Sequence, residues 1–231
     1  MEFSLFSELA ELGVREWLMF GAAAAVFAAA LVLLARRARL SVKSSGIDTE
    51  SLVTGGMCVA LSFVLSYIRL FKMPQGGSIT PASMLPVMLY AYCYGPKKGF
   101  LAAFCYSFLA MIQDMFFVAP MQIVMDYTLA FTSLGLTAFF AKREMLVTGV
   151  ITAGAARIFW HFLAGVIFFK EYAPEGMNVA IYSIGYQLAT LLPDITICAV
   201  AAFALRKNAA FEKLMKSRSG HKGAGAARSA A

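Results

Sequence analysis

LVTGVITAGAARIFWHFLAGVIFF, residues 146–169, runs for 24 residues with only two ionisable side chains inside it, Arg157 and His161. A helix rises about 1.5 Å per residue, so about 20 such residues cross the ~30 Å hydrocarbon core of a bilayer. The stretch therefore reads as a membrane helix that carries polar groups where they are costly. Apolar runs of similar kind cover 52–70, 78–95, 99–117, 121–141 and 179–205, and one more lies ahead of them at 17–35. Over all 231 residues 60% are hydrophobic and 14% charged, against roughly a half and a quarter in soluble domains. This balance excludes an ordinary water-soluble enzyme. The expected fold class is all-α, a polytopic membrane protein with a six-helix core and one extra N-terminal transmembrane helix.

The charges give the chain a direction. Arg36, Arg37, Arg39 and Lys43 follow the first run directly, which by the positive-inside rule puts the N-terminus outside and residues 36–51 in the cytoplasm. Counting spans from there, the loops with Lys97, Lys98, Lys142 and Arg143 and the tail from Arg206 also fall inside, so fifteen of the twenty lysines and arginines share one side. The net charge of +7 is thus topogenic, and no nucleic-acid partner is expected. Three parts result: 1–51, an N-terminal span and cytoplasmic linker; 52–206, the membrane core; and 207–231, a basic cytoplasmic tail of disordered composition. The first run lacks the basic n-region and cleavage site of a secretory signal, so it is expected to be retained. Cys58, Cys93, Cys105 and Cys198 lie in apolar runs and read as buried packing residues. No P-loop occurs, and His and Cys spacings match no zinc motif. His221, in the polar tail, is the only other histidine, so neither metal nor other cofactor is expected.

Ionisable residues inside spans are functional candidates by default. Measured by helix rise from the outer end of its run, Asp126 lies about 8 Å down, His161 about 12 Å, Tyr182 about 5 Å and Gln187 about 12 Å. Groups on three helices thus share the outer third of the membrane, which suits a small-molecule pocket opening outward. Arg157, His161, Gly165 and Phe168 fall on one helix face, so Gly165 is expected to leave a gap beside the imidazole for a flat heterocycle. Asp126 would hold a cation or accept from an amine, and His161 would bond a ring nitrogen. Tyr127, Tyr182 and Gln187 would reach hydroxyl or amine groups, and Phe168 or Phe169 would stack. Arg157 and Asp194 lie deeper, at about 18 and 22 Å, and are expected to form a structural ion pair. Gln113 and Asp114 are expected at the interface.

Four motifs carry a resemblance: Lys72-Met-Pro-Gln-Gly-Gly-Ser-Ile-Thr80 with Met84-Leu-Pro86; Gln122-Ile-Val-Met-Asp-Tyr127; His161-Phe-Leu-Ala-Gly-Val-Ile-Phe-Phe169; and Tyr172-Ala-Pro-Glu-Gly176 with Ile181-Tyr-Ser183. In this order, over roughly Leu52 to Arg206, the chain resembles the thiamine-specific substrate-binding subunit, or S-component, of energy-coupling factor transporters. The resemblance implies a six-helix S-component fold, capture of thiamine from outside the bacterial cell membrane, and a partner module of one membrane coupling protein and two ATPases. It places the family's acidic-Tyr pair on Asp126 and Tyr127, its pocket His on His161, its stacking aromatic on Phe169 and its Tyr on Tyr182. The chain departs from the family in having Gln187 for an Asn and Gly77 where some members have a nearby Trp. Small residues on the first core helix, Gly56 and Ala60, match the family's contact with its coupling protein.

The expected function is therefore non-enzymatic: thiamine capture for ATP-driven uptake. The alternatives are a proton-coupled secondary carrier using His161 and Asp126, or an S-component for a thiamine precursor or another vitamin.

Overall fold

The computed structural model describes residues 48–209 except Gln75, Phe117 and Glu144, together with Phe211 and six separate positions, Leu18, Gly21, Ala22, Ala25, Ala29 and Val32. These six are helical and exposed; the rest of the expected N-terminal span, and most of the expected tail, lie outside the described residues. The core holds six helices: α1 (Thr49–Ser66), α2 (Leu85–Tyr94), α3 (Pro96–Gln113), α4 (residues 120–143), α5 (Leu146–Phe168) and α6 (Val179–Arg206). Between α1 and α2 a hairpin pairs β1 (Phe71–Lys72) with β2 (Ser78–Ile79), antiparallel. Among the described residues four helices, α1, α4, α5 and α6, are long and apolar enough to cross a membrane. Their outward faces carry exposed Leu52, Met57, Val64, Ile151, Leu192 and Val200, a surface suited to hydrocarbon rather than water.

The expected helix over 78–95 is shortened to α2, because Thr80-Pro81 disfavours helical backbone and Pro86 is accepted only at a helix start. Residues 80–84 cross this level as irregular chain instead. Irregular backbone at membrane depth is tolerated where protein covers it or it lines a cavity, and both hold here. Met84, Val87 and Met88 are 0% exposed, and α2 packs against α1, α3, α4 and α5, so this short helix is apolar all round. Gly95, at φ +92°, makes the tight turn from α2 into α3, a conformation glycine adopts without steric cost. At that turn Lys98, itself buried, pairs with Asp48 at the start of α1. The Lys98 ammonium holds the Asp48 carboxyl well below the usual carboxylate range.

Helix α4 changes winding along its length: α over Pro120–Ile123, π over Val124–Leu129, α over Ala130–Thr132 and 3-10 over Ser133–Arg143. α5 packs along both α4 and α6. A Cβ at Gly165 would clash with Ser183 Oγ and lie 3.0 Å from Ser183 Cβ, so glycine eases the close approach of α5 and α6.

Candidate functional site

One cavity of about 160 Å³ opens at the hairpin end of the bundle, between α1, α3, α4, α5, α6 and the hairpin. At ~10–15 Å³ of such space per water, it has room for about 11 to 16 waters, which suits a small heterocyclic molecule. Asp126, Tyr127, His161, Phe169, Tyr182 and Gln187, the six residues expected to bind substrate, all line it. Sequence depth alone aligned them because α4, α5 and α6 all begin or end at this rim.

At the centre, four side chains form a continuous hydrogen-bonded row. Gln122 Nε2 donates to Asp126 Oδ2 at 2.7 Å, His161 Nδ1 meets Asp126 Oδ1 at 2.9 Å, and Arg157 Nε donates to His161 Nε2 at 3.4 Å. The last bond requires a lone pair on Nε2, which assigns the proton to Nδ1 and makes His161 neutral in this arrangement. Each helix supplies its pair at i, i+4 spacing, 122/126 on α4 and 157/161 on α5, so the residues of each pair lie one above the other on one face. Asp126 is 8% exposed, and its two direct partners are uncharged. Its hydrogen bonds are met, and among the described residues no lysine or arginine nitrogen lies within 4.0 Å of it, which suits an organic cation as guest.

The π stretch shapes this wall. Bonds from i to i+5 bring residues five apart onto one face, so Asp126 and Phe131 both reach the cavity, where α-helical winding would separate them. Single π turns inside α-helices recur at functional sites. The Tyr127 ring lies parallel to Phe131 at 6.4 Å. Its hydroxyl accepts the Phe116 N–H at 2.8 Å and donates to the Asp114 carbonyl at 3.0 Å, so it secures the chain after α3 rather than reaching for a ligand hydroxyl. At the mouth Phe169 stacks on Phe116 at 6.0 Å and 22°. Asp114, expected merely at an interface, joins Arg69 at 3.0 Å and Lys72 at 3.1 Å. Gly76, in the hairpin loop, accepts from the Tyr186 hydroxyl at 2.9 Å.

Three expectations are corrected. The Cβ space at Gly165 is taken by Ser183, which donates to the Phe162 carbonyl, so the gap expected there is narrowed by a close helix contact, while Gly165 and Ser183 both line the cavity. Phe168 packs with the Met125, Trp160 and Ile167 cluster, one position round from the cavity, and Phe169 alone of the two lines it. Arg157 and Asp194 make no ion pair: Asp194 accepts from Thr80 Oγ1 at 3.0 Å, while the Arg157 guanidinium lies over the Phe131 ring, 4.0 Å from its centroid, and contacts Met84 Sδ. Both line the cavity. A fourth, smaller departure is Cys105, which is exposed; no disulfide joins the four cysteines.

Gln122, Phe131, Thr80, Ser83 and Tyr186 also line the cavity and were not singled out from sequence. Gln122 carried a usable signal, its i−4 spacing from Asp126. Tyr186 carried a similar one, lying four residues from Tyr182 on α6; Phe131 depends on the π turn, and Thr80 and Ser83 on the irregular chain before α2. Gly56 and Ala60 are exposed on α1, and nothing lies within 4 Å of a Cβ built at Gly56.

A thiamine transporter ThiT of Bacillus subtilis (strain 168) is 30% identical over 144 residues, 56% of this chain and 74% of that one. A second ThiT, of Lacticaseibacillus paracasei (strain ATCC 334), is 30% identical over 119 residues, 44% of this chain and 59% of its own. A solved structure of ThiT from Listeria monocytogenes superposes with a TM-score of 0.61 at 24% identity, covering 71% of this chain and 96% of that one; at this identity the likeness establishes the fold, an all-α membrane bundle. The family model described as thiamine transporter protein matches residues 52–213, which takes in all six core helices, and the chain belongs to that family of transporters.

Proposed function

We propose that this chain is the substrate-binding membrane subunit of an ATP-driven energy-coupling factor transporter, and that it captures thiamine in the cavity between α4, α5 and α6. The observation that carries this reading is Asp126: a buried carboxylate bonded only by neutral Gln122 and His161, with the Phe169–Phe116 stack at the cavity mouth. Thiamine supplies the complement, a permanent thiazolium cation joined to an aminopyrimidine. Asp126 faces the cation or an amine, His161 and Gln187 offer hydrogen bonds, Phe169 stacks, and Tyr127 and Tyr182 form walls. Binding needs no covalent chemistry, in keeping with a family of transporters.

The mouth faces outward and the basic side faces the cytoplasm, an orientation supported by the charge asymmetry of the loops. Gly56 and Ala60, small and exposed on α1, allow close approach by a helix of the coupling protein. Energy comes from that protein and its two ATPases.

The test is titration of the purified protein in detergent with thiamine, followed by the fluorescence of Trp160, the neighbour of His161. Saturable tight binding without an energy source supports the reading. Absence of thiamine binding overturns it, and thiamine accumulation in vesicles lacking any ATPase replaces it with a secondary carrier.

A further inference from the structure

Helix α1 is the least buried of the four long apolar helices. Its buried residues are Ser51, Gly55, Val59 and Ser62, of which only Val59 carries a branched apolar side chain, with Cys58 and Phe63 partly buried beside them. The Ser62 hydroxyl has no hydrogen-bond partner. Such a seam has few of the large side chains that interlock helices and fix their rotation. Polar contacts take over at the end of α1 remote from the cavity mouth. Tyr90 on α2 lies against Gly55, where a Cβ would come within 2.9 Å of its ring and hydroxyl, and donates to the Ser51 carbonyl at 2.8 Å. One turn on, Tyr94 stacks on Tyr90 at 4.6 Å and donates to Thr54 Oγ1 at 3.0 Å. Lys98, at the start of α3, pairs with Asp48 and lies 5.7 Å from the Tyr94 ring centre. None of these residues is among those lining the cavity.

We propose that Asp48, Lys98, Tyr90 and Tyr94 are positioning residues for energy coupling, holding α1 in the rotation that presents Gly56 and Ala60 to an apolar helix of the coupling protein. This rests on the partner contact read above and adds what fixes its geometry. Gly55 and Gly56 are neighbours, about 100° apart around the helix, so seating Gly55 on Tyr90 turns Gly56, and Ala60 one turn further, outward, where both are exposed. The rotation matters because backbones approach closely only over small residues. On a helix about 5–6 Å in radius with its side chains, a turn of about 30° moves a surface point by about 3 Å. That displacement brings the exposed Val53, Met57 or Val64 toward the partner in place of the two small residues.

The experiment uses the full-length chain with Asp48→Asn, Asp48→Glu, Tyr90→Phe and Tyr94→Phe. Each is read as thiamine Kd in detergent, as thermal unfolding, and as ATP-driven uptake in cells per transporter present in the membrane. The phenylalanine variants keep the ring and lose one hydroxyl; Asn keeps the size of Asp48 and suits the position before a helix equally well; Glu keeps the charge. Asp48→Asn, Tyr90→Phe and Tyr94→Phe are each expected to lose about threefold in uptake with Kd changed by less than about twofold, and Asp48→Glu to transport like wild type. Rotation is read directly from single cysteines at Val59 and Ala60, in a background with Cys58, Cys93, Cys105 and Cys198 replaced by alanine. A maleimide should label position 60 far faster than position 59, and Tyr90→Phe combined with Tyr94→Phe should narrow the difference. Uptake like wild type in all variants, uptake that falls only in step with thiamine affinity, or an unchanged labelling contrast overturns the positioning role, and Asp48→Glu as impaired as Asp48→Asn removes the ion pair from it. Unaltered uptake with Gly56→Leu overturns the partner contact beneath it, while thiamine capture stands.

Discussion

Replacing Asp126 by Asn tests the centre of the site most directly, because it removes one charge and almost no volume. Asp126 accepts from Gln122 at 2.7 Å and from His161 at 2.9 Å. An Asn can accept from only one of them, and its NH2 then faces a donor. His161 cannot resolve the conflict by moving its proton, since Nε2–H would meet the Arg157 Nε donor. One mismatched polar contact costs about 1–3 kcal/mol in stability, so the variant should unfold at lower temperature. Loss of the charge acts on the ligand. Truncating one member of a desolvated charge pair costs about 2–5 kcal/mol. The cavity is open at its mouth, so the lower part of that range applies, about 2–3 kcal/mol, or about 30- to 150-fold in Kd. The assay is the Trp160 fluorescence titration, run with thiamine and with a neutral analogue whose thiazolium is replaced by an uncharged ring. The analogue should lose only a few-fold. Unchanged thiamine affinity, or equal losses for the cation and the neutral analogue, would refute the role assigned to the Asp126 charge.

Gln122→Leu removes a 1%-exposed amide and leaves Asp126 with His161 alone; thiamine affinity should fall about fivefold, less than for Asp126→Asn, in the same titration. Gly165→Ala places a methyl against Ser183 Oγ and 3.0 Å from Ser183 Cβ, so Ser183 must give up its bond to the Phe162 carbonyl or α5 and α6 must shift. Overpacking of this kind costs about 1–3 kcal/mol, read as a lower unfolding temperature, and a higher one would show that the helices are not held at this distance. A Cβ at Gly56 meets nothing within 4 Å, so with Gly56→Leu thiamine binding in detergent should be unchanged while ATP-driven uptake in cells falls, and unaltered uptake would remove Gly56 from the partner contact. Single cysteines in place of Glu175 and Lys207 should be labelled in intact cells by an impermeant maleimide at the first position and not at the second; the reverse pattern would invert the proposed orientation.

The regular parts of this architecture were open to sequence reasoning for a simple reason. In α1, α4, α5 and α6 the apolar run, the span and the helix coincide, so hydropathy marks all three at once. It failed for 78–95, where the composition is apolar but the prolines are placed for an extended entry: α2 begins only at Leu85. The same division holds at the cavity. Asp126, His161 and Gln187 are polar groups inside helices whose ends are well marked, so a rise per residue was enough to bring them to one level. Azimuth was harder. Phe131 reaches the cavity through a π turn that no periodicity announces, and Phe168 and Phe169 differ by one step at a helix end, where the ring that lines the cavity belongs to the C-cap residue. For Arg157 and Asp194, similar depth suggested a pair. Depth does not specify direction, and Arg157 turns along its own helix toward His161 and across to Phe131 instead.

Irregular backbone and buried charge meet in the same places in this protein, and each makes the other tolerable. The π turn brings Asp126 and Phe131 to one face, and the chain at Thr80–Met84 forgoes helical bonds to bring Thr80 beside Asp194. In hydrocarbon either feature alone would expose unpaired polar groups. Here the backbone that departs from α-helix lines the cavity, and the side chains it presents are hydrogen-bonded to one another in short rows, Gln122 to Arg157 on one wall and Ser83 to Asp194 on another. Such rows satisfy donors and acceptors but do not cancel charge. The carboxylate of Asp126 is bonded by neutral groups, and Arg157 ends its row without a carboxylate. A neutral ligand could only exchange one set of hydrogen bonds for another. A ligand with a fixed cation gains an ion pair with Asp126, which among the described residues has no lysine or arginine within 4.0 Å, and this is why selectivity for the charged vitamin over uncharged analogues should depend on Asp126 more than on any aromatic wall.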